Sequence, residues 1–433
     1  MAEILVKNSY RRLRSHFISD SLFRNSIYLM ISTGIQAVLG FAFWIVAARL
    51  YTAPEVGIAT TLVSTISLIS AISLFGFNTA LIRYLPESKD RQGYVGTIAT
   101  AAIITSSTIA VGYIILLHQI APKLASRPDQ PMLWVLLLIG SISISLTMLS
   151  DNLFISLRQA KFVTFTSATF SITKLLLLFA AVNLGAYGPF GAQISGYILA
   201  LAISLYIQRK YFGIRYRPQL DFGILRRVRR FSFGSYLASL ANSLPGLLLP
   251  IVILNQLGPS SVAYFYVSLM IANVLFIIPQ ATTQSQFAEG SNDPDKISSH
   301  SRIASIQIAC MLIPALILVL ILAPYIMLVF GPAYQAGGVT ILRLLCLSSI
   351  FISINSILTT VLRIRNMVRS LAVIGAVTTM ATFLFAYALI DHGLIGVGIG
   401  WNIGEALTSV LLVITVMRYK KPYSALNSGT ISA

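Results

Sequence analysis

Four ionisable side chains stand inside long apolar runs of this chain: Asp151, Lys174, Arg343 and Glu405. A charge in hydrocarbon is costly, so an acid or a base there is a functional candidate by default. Arginine in a low-dielectric site can hold a phosphate through paired hydrogen bonds, and lysine can hold one as a point charge. A carboxylate in such a place can take up a proton or a small cation, and so couple a process to an ion gradient. The competing reading is internal glue, with Asp151 or Glu405 neutralised by Lys174 or Arg343. Arg49 and Arg83 lie at the ends of apolar runs, where snorkelling to the interface explains them; both stay in the candidate set, with Asn78. Small polar residues also recur at helical spacing: Thr60, Ser64 and Ser67; Ser235, Ser239 and Asn242; Ser349, Ser353, Ser356 and Thr360. Such stripes serve either a wet cavity or close helix packing.

Other chemistries find little support. Cys310 and Cys346 both fall in apolar runs and read as small buried hydrophobes. His16, His118, His300 and His392 are scattered, without the spacing of a zinc site, so neither a metal nor another cofactor is expected. There is no glycine-rich phosphate loop and no ATPase motif. Outer connections offer only Glu55, Asp129 and Asp391 as acids, which disfavours a lipid-sugar polymerase or transferase.

The elements that must position these residues are membrane spans. The chain has 433 residues, 56% hydrophobic and 10% charged, with a mean hydropathy of +0.81. Apolar runs of about 20 residues, the length that crosses a bilayer, recur along it. An outer-membrane barrel would show short alternating segments instead. Twelve spans are expected, near 25–48, 55–80, 94–118, 132–157, 162–184, 187–207, 233–255, 261–287, 303–329, 338–361, 367–390 and 394–417. With the N-terminus inside, 26 Lys and Arg fall on the cytoplasmic side, against Arg49, Lys123 and Arg127 outside. This bias sets both termini in the cytoplasm and explains the net charge of +18 without nucleic acid, through basic loops that meet anionic lipid. Lys174 then sits near mid-membrane in the fifth span, and Arg343 near the outer end of the tenth. Asp151 sits in the inner half of the fourth, and Glu405 near the middle of the twelfth.

The chain also divides. Arg226, Arg227, Arg229 and Arg230 lie between the sixth and seventh spans. Short motifs recur on either side at offsets of 202–206 residues: Leu157-Arg158 with Leu362-Arg363, Ala121-Pro122 with Ala323-Pro324, Gly188 to Gly191 with Gly393 to Gly396, and Ala53-Pro54 with Pro259-Ser260. Two parallel six-helix repeats follow, since six is even. At the repeat offset Lys174 corresponds to Thr379, Arg343 to Leu138 and Glu405 to Ala200, so those buried charges do not recur; Asp151 corresponds to Ser356. The expected parts are a basic segment 1–24, an N-lobe 25–207, a basic linker 208–232, a C-lobe 233–417 and a tail 418–433. In the first part Val6, Tyr10, Leu13 and Phe17 make one stripe; a surface amphipathic helix and a disordered basic tail both fit. Pro245, Gly246, Pro250 and Pro279 should bend the seventh and eighth spans.

Two stretches carry a family resemblance. Gly40-Phe-Ala-Phe-Trp44 through Arg49 to Pro54-Glu-Val-Gly57, and Gly76-Phe-Asn78 through Arg83 to Pro86-Glu87, resemble the oligosaccharide flippase (polysaccharide transporter) branch of the MOP exporter superfamily. Phe330-Gly331-Pro-Ala-Tyr334, Leu342-Arg343 and Leu362-Arg363-Ile-Arg365 agree. The resemblance implies two lobes in a V around a central cavity lined largely by helices one, two, seven and eight. It implies a carrier in the cytoplasmic membrane that moves an isoprenoid-pyrophosphate-linked oligosaccharide outward by alternating access. On that reading Lys174, Arg343, Arg49, Arg83, Asn78, Asn242, Ser64, Ser67 and Ser353 serve the substrate, while Glu405 and Asp151 serve coupling to H+ or Na+. Polysaccharide polymerases or glycosyltransferases are natural associates. A cation-coupled multidrug antiporter of the same superfamily is the nearest rival. A major-facilitator carrier is disfavoured, because Arg83-Tyr-Leu-Pro-Glu-Ser-Lys-Asp-Arg91 lacks that group's loop motif.

Overall fold

The computed structural model describes residues 21–126, 129–292, 296–365 and 367–418. The stripe Val6–Phe17 and the tail beyond Arg418 lie outside them, as do the side chains of Ser235 and Asn242. Among the described residues every regular element is helical. Twelve long helices among them overlap the expected spans: α1 (Ser21–Leu50), α2 (Ala53–Ser73), α3 (Arg91–Ile115), α4 (Gln130–Ser156), α5 (Ala160–Ala180), α6 (Tyr187–Phe212), α7 (Phe222–Leu257), α8 (Pro259–Asn292), α9 (Ile297–Phe330), α10 (Pro332–Ile364), α11 (Val368–Ala388) and α12 (Gly393–Arg418). Among the described residues eleven helical stretches are long and apolar enough to cross a membrane, and a further apolar stretch, Val373–Ala388 of α11, is shorter. Unsatisfied backbone is not tolerated in hydrocarbon, so apolar stretches this long have helix as their one open-ended solution.

Several boundaries differ from the expectation. The second span does not run to residue 80: α2 stops at Ser73, Phe75 and Gly76 turn left-handed, and a short helix Phe77–Tyr84 follows. Gly76 is needed there, since a Cβ would strike the side chains of Ser232 and Tyr236 on α7. The linker 208–232 is mostly helix. Only 213–221 connects α6 to α7, and Arg226, Arg227 and Arg229 stand exposed on the first turns of α7 around buried Val228. That connection is strapped to α3: Gln92 Nε2 donates to the Gly213 carbonyl at 2.7 Å, and the Gln219 N–H donates to Thr100 Oγ1 at 3.3 Å. Helices α7 to α10 have 36, 34, 34 and 33 residues, or roughly 50 Å each, and outrun a ~30 Å hydrocarbon core. Pro245 and Pro250 lie inside α7 and Pro279 inside α8, without ending them; Pro314 and Pro324 do the same in α9. Glycine-to-proline steps let α7 and α9 reverse at once. Gly258 and Gly331 take positive φ to end one helix, and Pro259 and Pro332 begin the next.

Two compact units divide the structure: one has the chain up to Tyr51 with Leu62–Leu237, the other Thr52–Thr61 with the chain from Ala238. Thus α2 and α7 each contribute to both. In the first unit, α1 and α5 run parallel along a ladder of polar rungs. Asn25 Oδ1 accepts the Ala160 N–H, Thr164 Oγ1 donates to the Tyr28 carbonyl, Ser32 donates to Ser167 at 2.9 Å, and the Tyr51 hydroxyl reaches the Leu178 carbonyl at 2.8 Å. A second knot ties α2, α3 and α4, where Ser145 donates to Ser70 at 2.8 Å and Thr105 to the Ser73 carbonyl at 2.9 Å. The apolar core at one end gathers Phe77, Leu81, Tyr94, Phe154 and Val228.

In the second unit α8 packs on α10, and α10 and α11 both pack on α12. One hairpin has the same form in both units. A 21-residue helix (α5, α11), a three-residue 3-10 turn (Val182–Leu184, Ile390–His392) and a 26-residue helix (α6, α12) follow in order. In each a glycine lies against the carbonyl closing the first helix: Gly188 on Ala181, Gly396 on Leu389. Counted from the start of the 21-residue helices, the position equivalent to Lys174 is Thr382 rather than Thr379.

Candidate functional site

Lys174 sits on α5 among rings. Its Nζ lies 4.5 Å from the centroid of Phe170, one turn earlier on the same helix, and 5.0 Å from that of Phe43 on α1. Phe170 in turn stacks on Tyr197 of α6 at 4.3 Å. The side chain is buried, 6% exposed. Aromatic faces offer a cation their negative quadrupole, which is worth about 2 kcal/mol or more once water is removed. The rings leave the positive charge unneutralised, so an anion can still be attracted to it. Lys174 stands at the level where the α1–α5 ladder has Phe43 in place of a polar rung.

Glu405 is held by an amide. Asn355 of α10 donates through Nδ2 to Glu405 Oε2 at 2.9 Å and to the Glu405 carbonyl at 3.2 Å. Ser409 completes the set, donating to Asn355 Oδ1 at 2.8 Å. Beside it, Asn402 donates to the Leu344 carbonyl across the same helix pair at 2.9 Å, and Gly404 brings α12 against Thr382 of α11. Asp151, half-buried on α4, accepts from Thr166 of α5 at 3.4 Å, a long hydrogen bond. Arg343 is exposed on α10, and its Nε donates to the Leu320 carbonyl of α9 at 3.2 Å.

Mutual neutralisation is therefore not what holds these groups within either unit. Lys174 has rings and Asp151 a hydroxyl; Arg343 has a carbonyl and Glu405 an amide. A carboxylate does meet a basic side chain elsewhere, where His300 Nδ1 lies 3.3 Å from Glu289 Oε2. The four charges also fall into two separate pairs of neighbourhoods, Lys174 and Asp151 in the first unit and Arg343 and Glu405 in the second.

The remaining expected residues are dispersed. Arg49 is exposed at the end of α1, and Arg83 is exposed near the end of the short helix Phe77–Tyr84. Asn78, half-buried on that helix, accepts from the Thr79 N–H. Ser64 is buried and Ser67 half-buried on α2. Ser353 is buried and donates to the Ser349 carbonyl at 2.7 Å, a bond within its own helix. Asn242 lies on α7 with its side chain outside the described set. The cysteines need one correction: Cys346 is buried, but Cys310 is exposed on the apolar flank of α9. Three partners of these charges are themselves uncharged and carry no signal of their own in the sequence. Phe170 could have been found, because it lies one helical turn from Lys174. Phe43 and Asn355 could not, because only the packing of separate helices brings them near.

The fold is that of a known group of carriers. The structure resembles the solved lipid II flippase MurJ in an inward closed conformation with a TM-score of 0.74, at 15% identity over 90% of this chain and 87% of that one. It resembles an inward-facing multidrug resistance MATE family transporter of the MOP superfamily with a TM-score of 0.70, at 19% identity over 94% and 99%. The outward-facing conformation of a MATE transporter matches at 0.60, with 18% identity over 94% and 96%. No curated protein matches the chain. The model of the polysaccharide biosynthesis protein family matches residues 22–283, well over half of the sequence. With its apolar helices, this makes the chain a multi-pass membrane protein of the polysaccharide biosynthesis protein family.

Proposed function

We propose that the protein carries an isoprenoid-pyrophosphate-linked oligosaccharide, a repeat unit of lipopolysaccharide, capsule or exopolysaccharide, from the inner to the outer leaflet of the cytoplasmic membrane. The observation that carries this is Lys174: a buried cation, held on rings and not by a carboxylate, in a chain of the polysaccharide biosynthesis family. A pyrophosphate head needs such a cation out of water, where charge-assisted bonds are strongest. Arg343 is the second anion-binding candidate, and hydroxyl and amide groups on α2, α7 and α10 would meet the sugars. The two lobes, 25–207 and 233–417, alternate in access on this reading. The protein carries no ATPase motif, so net export draws on an ion gradient through Glu405 or Asp151, or on consumption of the lipid by a polymerase or glycosyltransferase outside.

A cation-coupled multidrug antiporter is the second reading, favoured by the likeness to MATE folds over nearly the whole chain. Reconstitution separates the two. Liposomes loaded with a fluorescent isoprenoid-pyrophosphate sugar should show flipping that depends on the protein. Transport of a cationic dye in exchange for H+ or Na+, without sugar-lipid flipping, would overturn the proposal.

A further inference from the structure

A cleft of about 560 Å3 opens between α5 and α6, at the end of the hairpin where α5 begins and α6 finishes. Its size is that of ligand pockets in general. Phe162 and Phe165 from α5, with Ile203, Ile207 and Tyr206 from α6, make it almost wholly apolar. Two lysines guard its rim. Lys161 lines the cleft and lies over the Phe162 ring at 4.9 Å. Lys210 lies between two rings that line it, 5.4 Å from Tyr206 and 5.5 Å from Tyr211. No acidic residue is among the lining.

The floor is rigid. Phe162 packs on Phe154 at 5.4 Å, on Phe212 at 5.9 Å and on Tyr211 at 5.7 Å. From Tyr211 to Ile203 the cleft follows α6 for two turns, about 12 Å. It thus descends from the charged rim, where Lys and Tyr mark a membrane interface, to a depth where only acyl chains are found. The large exposed surfaces of Phe165, Tyr206 and Tyr211, each more than half exposed, fit contact with lipid better than contact with water.

We propose that this cleft is a binding site for one anionic phospholipid, with its phosphate between Lys161 and Lys210 and the upper part of an acyl chain along Phe165, Ile203 and Ile207. The commitment to a phospholipid rests on charge complementarity at the rim and on the apolar descent below it. A soluble anion would use the rim alone. The site is distinct from the Lys174 cluster, and the proposal does not depend on what the protein transports.

Native mass spectrometry of the purified full chain tests it, with phosphatidylglycerol and phosphatidylcholine titrated in parallel. Wild type should retain one phosphatidylglycerol more tightly than any phosphatidylcholine. Each lysine near the surface contributes roughly fivefold, so Lys161→Gln with Lys210→Gln should weaken that lipid roughly thirtyfold. The Lys161→Arg, Lys210→Arg protein keeps the charge and should keep the lipid, which separates loss of binding from loss of folding. Phe165→Asp, which puts a charge in the apolar floor, should also expel it. Equal retention of phosphatidylglycerol by the double glutamine variant would overturn the proposal. So would displacement of the lipid by inorganic phosphate alone, or a site that takes a polyprenyl phosphate and refuses phosphatidylglycerol.

Discussion

Glu405 and Lys174 are held by opposite kinds of partner, an amide for the acid and ring faces for the base, and the difference decides what each substitution should do. An ion-paired Glu405 would lose stability when neutralised. A Glu405 held by Asn355 should not, because glutamine can still accept from Asn355 Nδ2. The expected outcome for Glu405→Gln is a melting temperature close to wild type with loss of any gradient dependence of flux. Asn355→Leu should instead remove the amide and strand the acid, at a cost of about 1–3 kcal/mol. A large fall in melting temperature for Glu405→Gln, with gradient dependence intact, would make the acid structural. For Lys174, methionine keeps the volume against Phe43 and Phe170 and removes only the charge. Lys174→Met and Arg343→Ala should each weaken substrate binding by roughly ten- to a hundredfold, the worth of a charge-assisted phosphate contact. Complementation of a flippase-null strain at limiting protein checks this. Normal export by both variants would remove them from the site.

At the scale of elements, most of the fold was legible because a membrane leaves few choices. The apolar runs became helices, eleven of them among the described residues long and apolar enough to cross a membrane, since length and composition dictate the outcome in hydrocarbon. What the sequence could not show is where a helix outruns the bilayer or breaks inside it. The polar ends of α7, α8 and α9 continue as helix, whereas α2 stops at Ser73, before the left-handed turn at Phe75 and Gly76, where Gly76 lies against Ser232 and Tyr236 of α7. The candidate site was legible only by half. Charges in apolar runs announce themselves, but their partners sit on other helices. The repeated hairpin gives a test at this scale. A side chain at Gly396 would land on the Leu389 carbonyl, and one at Gly188 on the Ala181 carbonyl and the Tyr51 ring. Overpacking of this kind costs about 1–3 kcal/mol or more. Gly396→Val and Gly188→Val should each lower the melting temperature of the detergent-solubilised protein. Gly112→Val on α3, where a Cβ meets nothing, should leave it unchanged and serves as the control.

For the whole molecule, the strongest expectation is orientation, and it rests on charge alone. With the N-terminus inside, 26 basic residues stay in the cytoplasm and three are exported. The structure sharpens the argument at α7, whose first turns expose Arg226, Arg227 and Arg229 around a single buried valine. An inverted chain would have to carry that cluster through the bilayer, against about 2.5–3.5 kcal/mol for each arginine at mid-membrane. Gly223, exposed at the head of α7, and Asp391, exposed in the turn before α12, stand on opposite sides in the expected topology. Both native cysteines, Cys310 and Cys346, are first replaced, so that the introduced thiol is the one that reports. In that protein Asp391→Cys should react with a membrane-impermeant maleimide on intact cells. Gly223→Cys should react only after the membrane is opened. Labelling of Gly223→Cys from outside would reverse the orientation and place both termini outside, whatever the helices carry between them.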